Sequence, residues 1–165
     1  MNPIDWLCAK APGFNELPEE DRQAIMHFSL LWSFFEAEAL KTNASAAAIL
    51  AVVHKWANQD RLNVAAFAES LDYFKARYFK DGTATQNFQG LSLRNNDNPS
   101  LVEAVLRGEN TNPADGVSAL LIIVYRLRNN LFHGVKWAYG IRGQLGNFTH
   151  ANSALMSALE IHGHL

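Results

Sequence analysis

The chain has 165 residues, 48% of them hydrophobic, and a formal net charge of -2 at neutral pH. That length suits one domain with a core large enough to stand without staples, and the charge excludes a surface that is basic throughout, so any contact with nucleic acid needs a local basic patch. The single cysteine, Cys8, excludes an intrachain disulfide and a multi-cysteine zinc site. The opening stretch "MNPIDWLCAK" lacks the basic start and apolar stretch of a signal peptide. The longest mostly apolar run, Val117–Tyr125, has nine residues, against the roughly 20 that cross a bilayer. The expectation is a soluble, cytoplasmic protein.

In chain order, almost everything reads as helix. "LPEEDRQAIMHFSLLWSFFEAEALK" places Pro18 at a first-turn position and follows it with Glu19, Glu20 and Asp21, which complement the positive end of a helix dipole. Ile25, Phe28, Trp32, Phe35 and Ala39 then recur at steps of three and four. "SAAAILAVVHKWA" is an alanine-rich second helix. "NVAAFAESLDYFKARYFKDG" is a third, with Asn63 as cap, Val64, Phe67, Leu71, Phe74 and Tyr78 as its stripe, and Gly82 as its stop. Residues 83–98, "TATQNFQGLSLRNNDN", are polar and aperiodic and read as a long loop, with "NFQGLSL" the only candidate for a short strand. "NPSLVEAVLRG" is a short helix with Asn98 as cap, Pro99 in the first turn and Gly108 at the end. A long apolar helix runs from about Ala114 to His133, a glycine-containing loop follows, and "FTHANSALMSALEIHGHL" supplies the last helix and a tail. The fold expected is an all-α, up-and-down bundle of about five helices in a single domain, its core spanning residues 19–160 between looser tails.

The long apolar helix ends in "RLRNNLFHGVKW", which sets Arg128, Asn129, Asn130 and His133 within six residues, just before Gly134. Basic residues and a glycine are ordinary helix-stop chemistry, so capping alone is one reading. The grouping offers more. Asn129 and His133 are four apart and share a face. Arg128 and His133 are five apart, roughly 140° around an ideal helix, and a long arginine can swing back across that angle. Arginine presents a planar fork of donors to phosphate oxygens, histidine exchanges a proton near neutral pH, and asparagine orients either by hydrogen bonding. Such a set suits a phosphodiester.

"RNNLFHG" resembles the Arg–polar–X3–His signature of HEPN domains, nucleotide-associated helical bundles, through Arg128, the polar Asn129 and His133. The position of the motif, late in the chain at the end of a long apolar helix, is similar too. The resemblance implies a metal-independent endoribonuclease with no cofactor, of the kind found in toxin–antitoxin and defence systems. It implies a homodimer that sets two motifs across one cleft, with RNA as substrate and an antitoxin or other protein as a further partner. On that resemblance His133 is general base or acid, Arg128 stabilises the charged phosphorane and Asn129 orients the site. It also implies an acidic or polar residue from the first long helix near the motif, for which Glu36 is the candidate. One departure stands out: a branch of these toxins carries tyrosine two residues after the histidine, where this chain has Val135. Other members of the family bind without cutting, so a silent module that holds RNA, nucleotide or protein is the alternative, and a plain helical dimer is the third reading.

Further candidates for support are Asn130 in the motif and the basic Lys136 and Arg142 just after it, each also readable as ordinary structure or surface charge. Glu36 and Glu38 sit on the first long helix; Glu36 flanks its apolar stripe and is equally readable as a solvated or salt-bridged residue. Trp137 and Tyr139 offer rings for bases or for an interface. The glycines at 140, 143 and 146 lack the strand and the spacing of a dinucleotide loop. His162 and His164 lack a third ligand, and no metal site is expected.

Overall fold

The computed structural model of the chain describes residues 2–134 and 141–163. Among them it is all-α: eight α-helices, three 3-10 turns and one minimal hairpin. The helices are α1 (Pro3–Lys10), α2 (Glu19–Glu38), α3 (Ala46–Asn58), α4 (Ala68–Tyr78), α5 (Gln86–Leu91), α6 (Pro99–Arg107), α7 (Pro113–Phe132) and α8 (Leu145–His162). No helix among the described residues is long and apolar enough to cross a membrane.

The expected long helices are present, with caps that explain their starts. The Ser45 hydroxyl accepts from the Ala48 N–H at 3.1 Å to open α3, and Asn112 Oδ1 accepts from Asp115 N–H at 3.1 Å to open α7, with Pro113 in its first turn. Each such cap stabilises a helix by about 1 kcal/mol. Gly108 closes α6 with φ +78°, a left-handed turn that suits glycine.

The N-terminal segment forms α1: Asn2 Oδ1 accepts from Ile4 N–H, and Ile4, Leu7 and Cys8 lie partly buried against the core. Four expectations need correction. Asn63 does not cap a helix with its side chain; Val64–Phe67 is a 3-10 turn, and α4 begins at Ala68. Gly82 does not end that helix. It forms with Asp81 the turn between Phe79–Lys80 and Thr83–Ala84, where Phe79 faces Ala84. Both turn residues have positive φ, the Asp-Gly preference of a two-residue hairpin. Finally, "NFQGLSL" is no strand and residues 83–98 no open loop. They hold the second short strand, α5 and a 3-10 turn at Asn95–Asp97. Asn98 adopts a left-handed φ of 54° and makes no capping bond to α6 through its side chain.

α7 is the axis of the molecule. Every residue from Gly116 to Val124 is buried, as expected of a helix apolar on all sides. α3, α4, α5, α6 and α8 all pack on it, and α2 lies along α8. Phe28 of α2 meets Phe148 of α8 at 5.1 Å between ring centres. Of the stripe positions expected in the core, Phe28, Trp32, Phe35, Phe67, Phe74, Leu121 and Val124 are buried, while Ile25 and Leu71 are partly buried against it.

Candidate functional site

The last two turns of α7 leave the all-apolar part of the core and split into two faces. Arg126, Asn129, Asn130 and His133 follow the 0, 3, 4, 7 spacing of one face. Arg128 projects elsewhere, toward α2, in company with Phe132 four residues on.

On the α2 side, Arg128 is held from several directions. Its Nη1 donates to Asn129 Oδ1 at 2.9 Å. Its Nη2 lies 3.6 Å from Glu36 Oε2. Its guanidinium carbon sits 5.4 Å from the Phe132 ring centre and 5.9 Å from that of Trp32, within cation–π range. Glu36 Oε2 also accepts from the Trp32 indole N–H at 2.6 Å. Trp32 is buried, so this bond fixes the carboxylate on α2 before it meets the arginine on α7. Glu36, proposed from the sequence as support, does reach the motif. The Arg128 Nε is buried without a hydrogen-bond partner among the described residues.

On the other face is a concavity of ≈ 290 Å3, lined by Ser92, Arg94, Arg126, Asn129, Asn130 and His133. His133 occupies the C-cap of α7, where its backbone N–H bonds Asn129 O at 2.9 Å. It is exposed, and its imidazole makes no hydrogen bond or ion pair with another described residue. Asn129 belongs to both faces: it lines the concavity with His133 and accepts from Arg128. Arg128 itself is not among the lining residues, so the arginine expected to swing back toward His133 instead turns to α2, where Trp32, Phe132 and Glu36 offer a better resting place.

Sequence reasoning missed the arginine that does share the histidine's face. Arg126 is 3% exposed. Its Nε lies 3.4 Å from Asp97 Oδ2, and its Nη2 donates to Asn130 Oδ1 at 3.4 Å. Asp97, also buried, accepts from the backbone N–H of Arg94 at 2.7 Å. Burial pushes the Arg126 guanidinium below its usual pKa, the Asp97 carboxylate opposes that shift, and the neighbouring Arg94 charge adds to it. A seven-residue step back from His133 would have found Arg126. Nothing in the local sequence pairs it with Asp97, which arrives from a distant turn.

The remaining candidates divide clearly. Asn130 is buried, and its Nδ2 donates to Leu91 O at 3.2 Å and Gly90 O at 3.4 Å, tying α7 to the end of α5. Arg142 forms an ion pair with Glu16 and does not line the concavity. Lys136, Val135, Trp137, Tyr139, Gly140 and His164 lie outside the described residues. Elsewhere, His54 pairs with Asp115 at 3.7 Å and His150 stacks on Tyr73 at 4.1 Å. Among the described residues, no group of three His, Cys, Asp or Glu side chains converges as a metal site. No family model, curated protein or solved structure matches this chain.

Proposed function

We propose that this chain is a metal-independent endoribonuclease of the HEPN type, a cytoplasmic homodimer acting as a toxin or defence effector on single-stranded RNA. The observation that carries the reading is the role of Asn129. It bonds Arg128 at 2.9 Å and shares a concavity with an exposed His133 that has no side-chain partner among the described residues. Asn129 thereby ties the cation to the wall of the concavity that holds the proton acceptor, and attack on a phosphodiester needs both kinds of group. In the step proposed, His133 takes the proton of the 2′-hydroxyl, the new 2′-O–P bond forms, and the P–O5′ bond breaks. Arg128 stabilises the charge gathering on the phosphoryl oxygens. The departing 5′-oxygen takes a proton from an acid, a role the second His133 of the dimer fills, and the product carries a 2′,3′-cyclic phosphate. A single Arg–His pair is sparse, and twofold symmetry doubles it without new sequence. Phe132 beside Arg128, and Leu30 and Phe34 on α2, are exposed and supply apolar area for such an interface.

One observation favours the binding-module reading, in which the chain holds RNA, nucleotide or a protein such as an antitoxin without cutting. Glu36 stands against Arg128 and offsets part of its charge. Incubation of the purified protein with labelled RNA in excess chelator separates the two. Cyclic-phosphate products that vanish in His133→Ala and Arg128→Ala, with both variants folded, support the nuclease. Robust cutting by His133→Ala, or cutting only with added magnesium, overturns it. Binding without any cleavage moves the weight to the module.

A further inference from the structure

We propose that the concavity between α7 and the 92–97 segment is a phosphate-binding subsite, with Arg94 and Arg126 as its cations and Ser92, Asn129 and His133 as its polar walls. It deepens the ribonuclease reading, on which it rests for its biological ligand, by assigning the group that seats a phosphate next to His133. Arg128 faces α2 and does not line this space.

Three observations carry it. The first is the character of the walls: all six lining residues are polar or charged. Small-molecule sites are predominantly apolar with a few polar groups that orient the ligand; here side-chain carbon forms much of the wall, and every lining residue also brings a polar group, so the donors of the two arginines select a ligand rich in acceptors. Its volume, ≈ 290 Å3, lies at about the 300 Å3 lower end of ligand sites, enough for a phosphate with its sugar.

The second is the sign of the charge. Arg94 and Arg126 bring two positive charges, and Asp97 answers with one negative, which leaves a surplus. Asp97 is also committed elsewhere, since the same Oδ2 accepts from the Arg94 backbone N–H at 2.7 Å. Among the described residues, no ion pair or side-chain hydrogen bond holds the exposed Arg94 guanidinium.

The third is the looseness of Arg126. It is buried, yet its contacts to Asp97, Asn130 and Leu91 O measure 3.4, 3.4 and 3.5 Å. Charge-assisted bonds settle at about 2.7–2.9 Å. A buried guanidinium with long bonds has donor capacity left over, and an anion in the hollow is the group that can take it up. The Arg94 charge next to it adds a repulsion that a bound phosphate relieves.

The test is calorimetric titration of the intact protein with inorganic phosphate, and with two uncleavable 2′-O-methyl oligoribonucleotides, one 5′-phosphorylated and one 5′-hydroxyl. The expected result is saturable phosphate binding that weakens about tenfold in Arg94→Ala, the size of one charge-assisted bond. Arg94 is exposed, so that variant keeps its fold. A second variant, Arg126→Met with Asp97→Asn, removes both buried charges together. The amide oxygen introduced by Asp97→Asn can still accept from the Arg94 N–H, so this variant too should fold, and it should weaken binding by a similar factor. Preference for the phosphorylated oligonucleotide identifies a terminal phosphate as ligand; equal binding of both, lost equally in Arg94→Ala, identifies a backbone phosphodiester. No binding of any probe, or binding unchanged in both variants, overturns the proposal. RNA cleavage measured in parallel separates the two readings. Phosphate binding without cleavage retains the subsite and removes the nuclease. Cleavage in chelator with Arg94-independent binding does the reverse.

Discussion

Glu36 on α2 and Arg128 on α7 meet at 3.6 Å, and the carboxylate is already anchored by the Trp32 indole at 2.6 Å. The pairing links two helices at the end of the bundle where the motif lies. It also sets the direction in which Arg128 points.

Replacing Glu36 therefore has two separable effects. Glu36→Gln keeps an oxygen for the Trp32 N–H and removes the charge that holds Arg128. Stability should change by less than about 1 kcal/mol, as for partly exposed pairs, while RNA cleavage falls by about tenfold as the arginine loses its tether. Glu36→Ala leaves the buried indole N–H without a partner and should cost about 1–3 kcal/mol. Urea unfolding and cleavage rates on the two variants check this; equal loss of stability in both would refute the role given to Trp32.

The two arginines should differ sharply in what they do for the fold. Arg126→Ala strands the buried Asp97 carboxylate and should cost about 3–5 kcal/mol. Arg128→Ala removes partly exposed contacts and should cost about 1 kcal/mol or less. Chemical denaturation of each variant gives the comparison, and a larger loss for Arg128→Ala would reverse it.

Gly146→Ala should destabilise the start of α8. A Cβ there runs into the Tyr73 ring and hydroxyl, and that ring is fixed by stacking on His150 and by donating to Asn147 Oδ1 at 3.1 Å. Moving it gives up both contacts, for about 1–3 kcal/mol. A Tyr73→Phe background, which lacks the hydroxyl, should recover part of the loss in melting experiments.

Tyr78 should make the fold sensitive to alkali. Burial raises its phenol pKa well above the usual value, and the Arg77 guanidinium offsets only part of the rise. The folded chain thus keeps the proton while the unfolded chain releases it at about pH 10. Unfolding is then linked to proton release: this contribution is fully present below about pH 10 and falls as pH rises beyond it. Tyr78→Phe should flatten that decline, and stability measured between about pH 9 and 11 reads the slope directly.

The helices were legible because burial leaves a period in the sequence. Phe28, Trp32 and Phe35 on α2 and the long, mostly apolar run of α7 announced their packing without any partner in view. The motif was legible as well, since Asn129 and His133 are local neighbours whose shared face follows from helix geometry. Residues 83–98 were not, because their order comes from polar ties to remote chain: Asn130 takes up the carbonyls of Gly90 and Leu91, and Arg126 meets Asp97. Such bonds leave no periodic trace. The direction of Arg128 was likewise settled only in three dimensions. Its long side chain can turn either way from α7, and the carboxylate and rings that α2 and Phe132 bring beside it decide which.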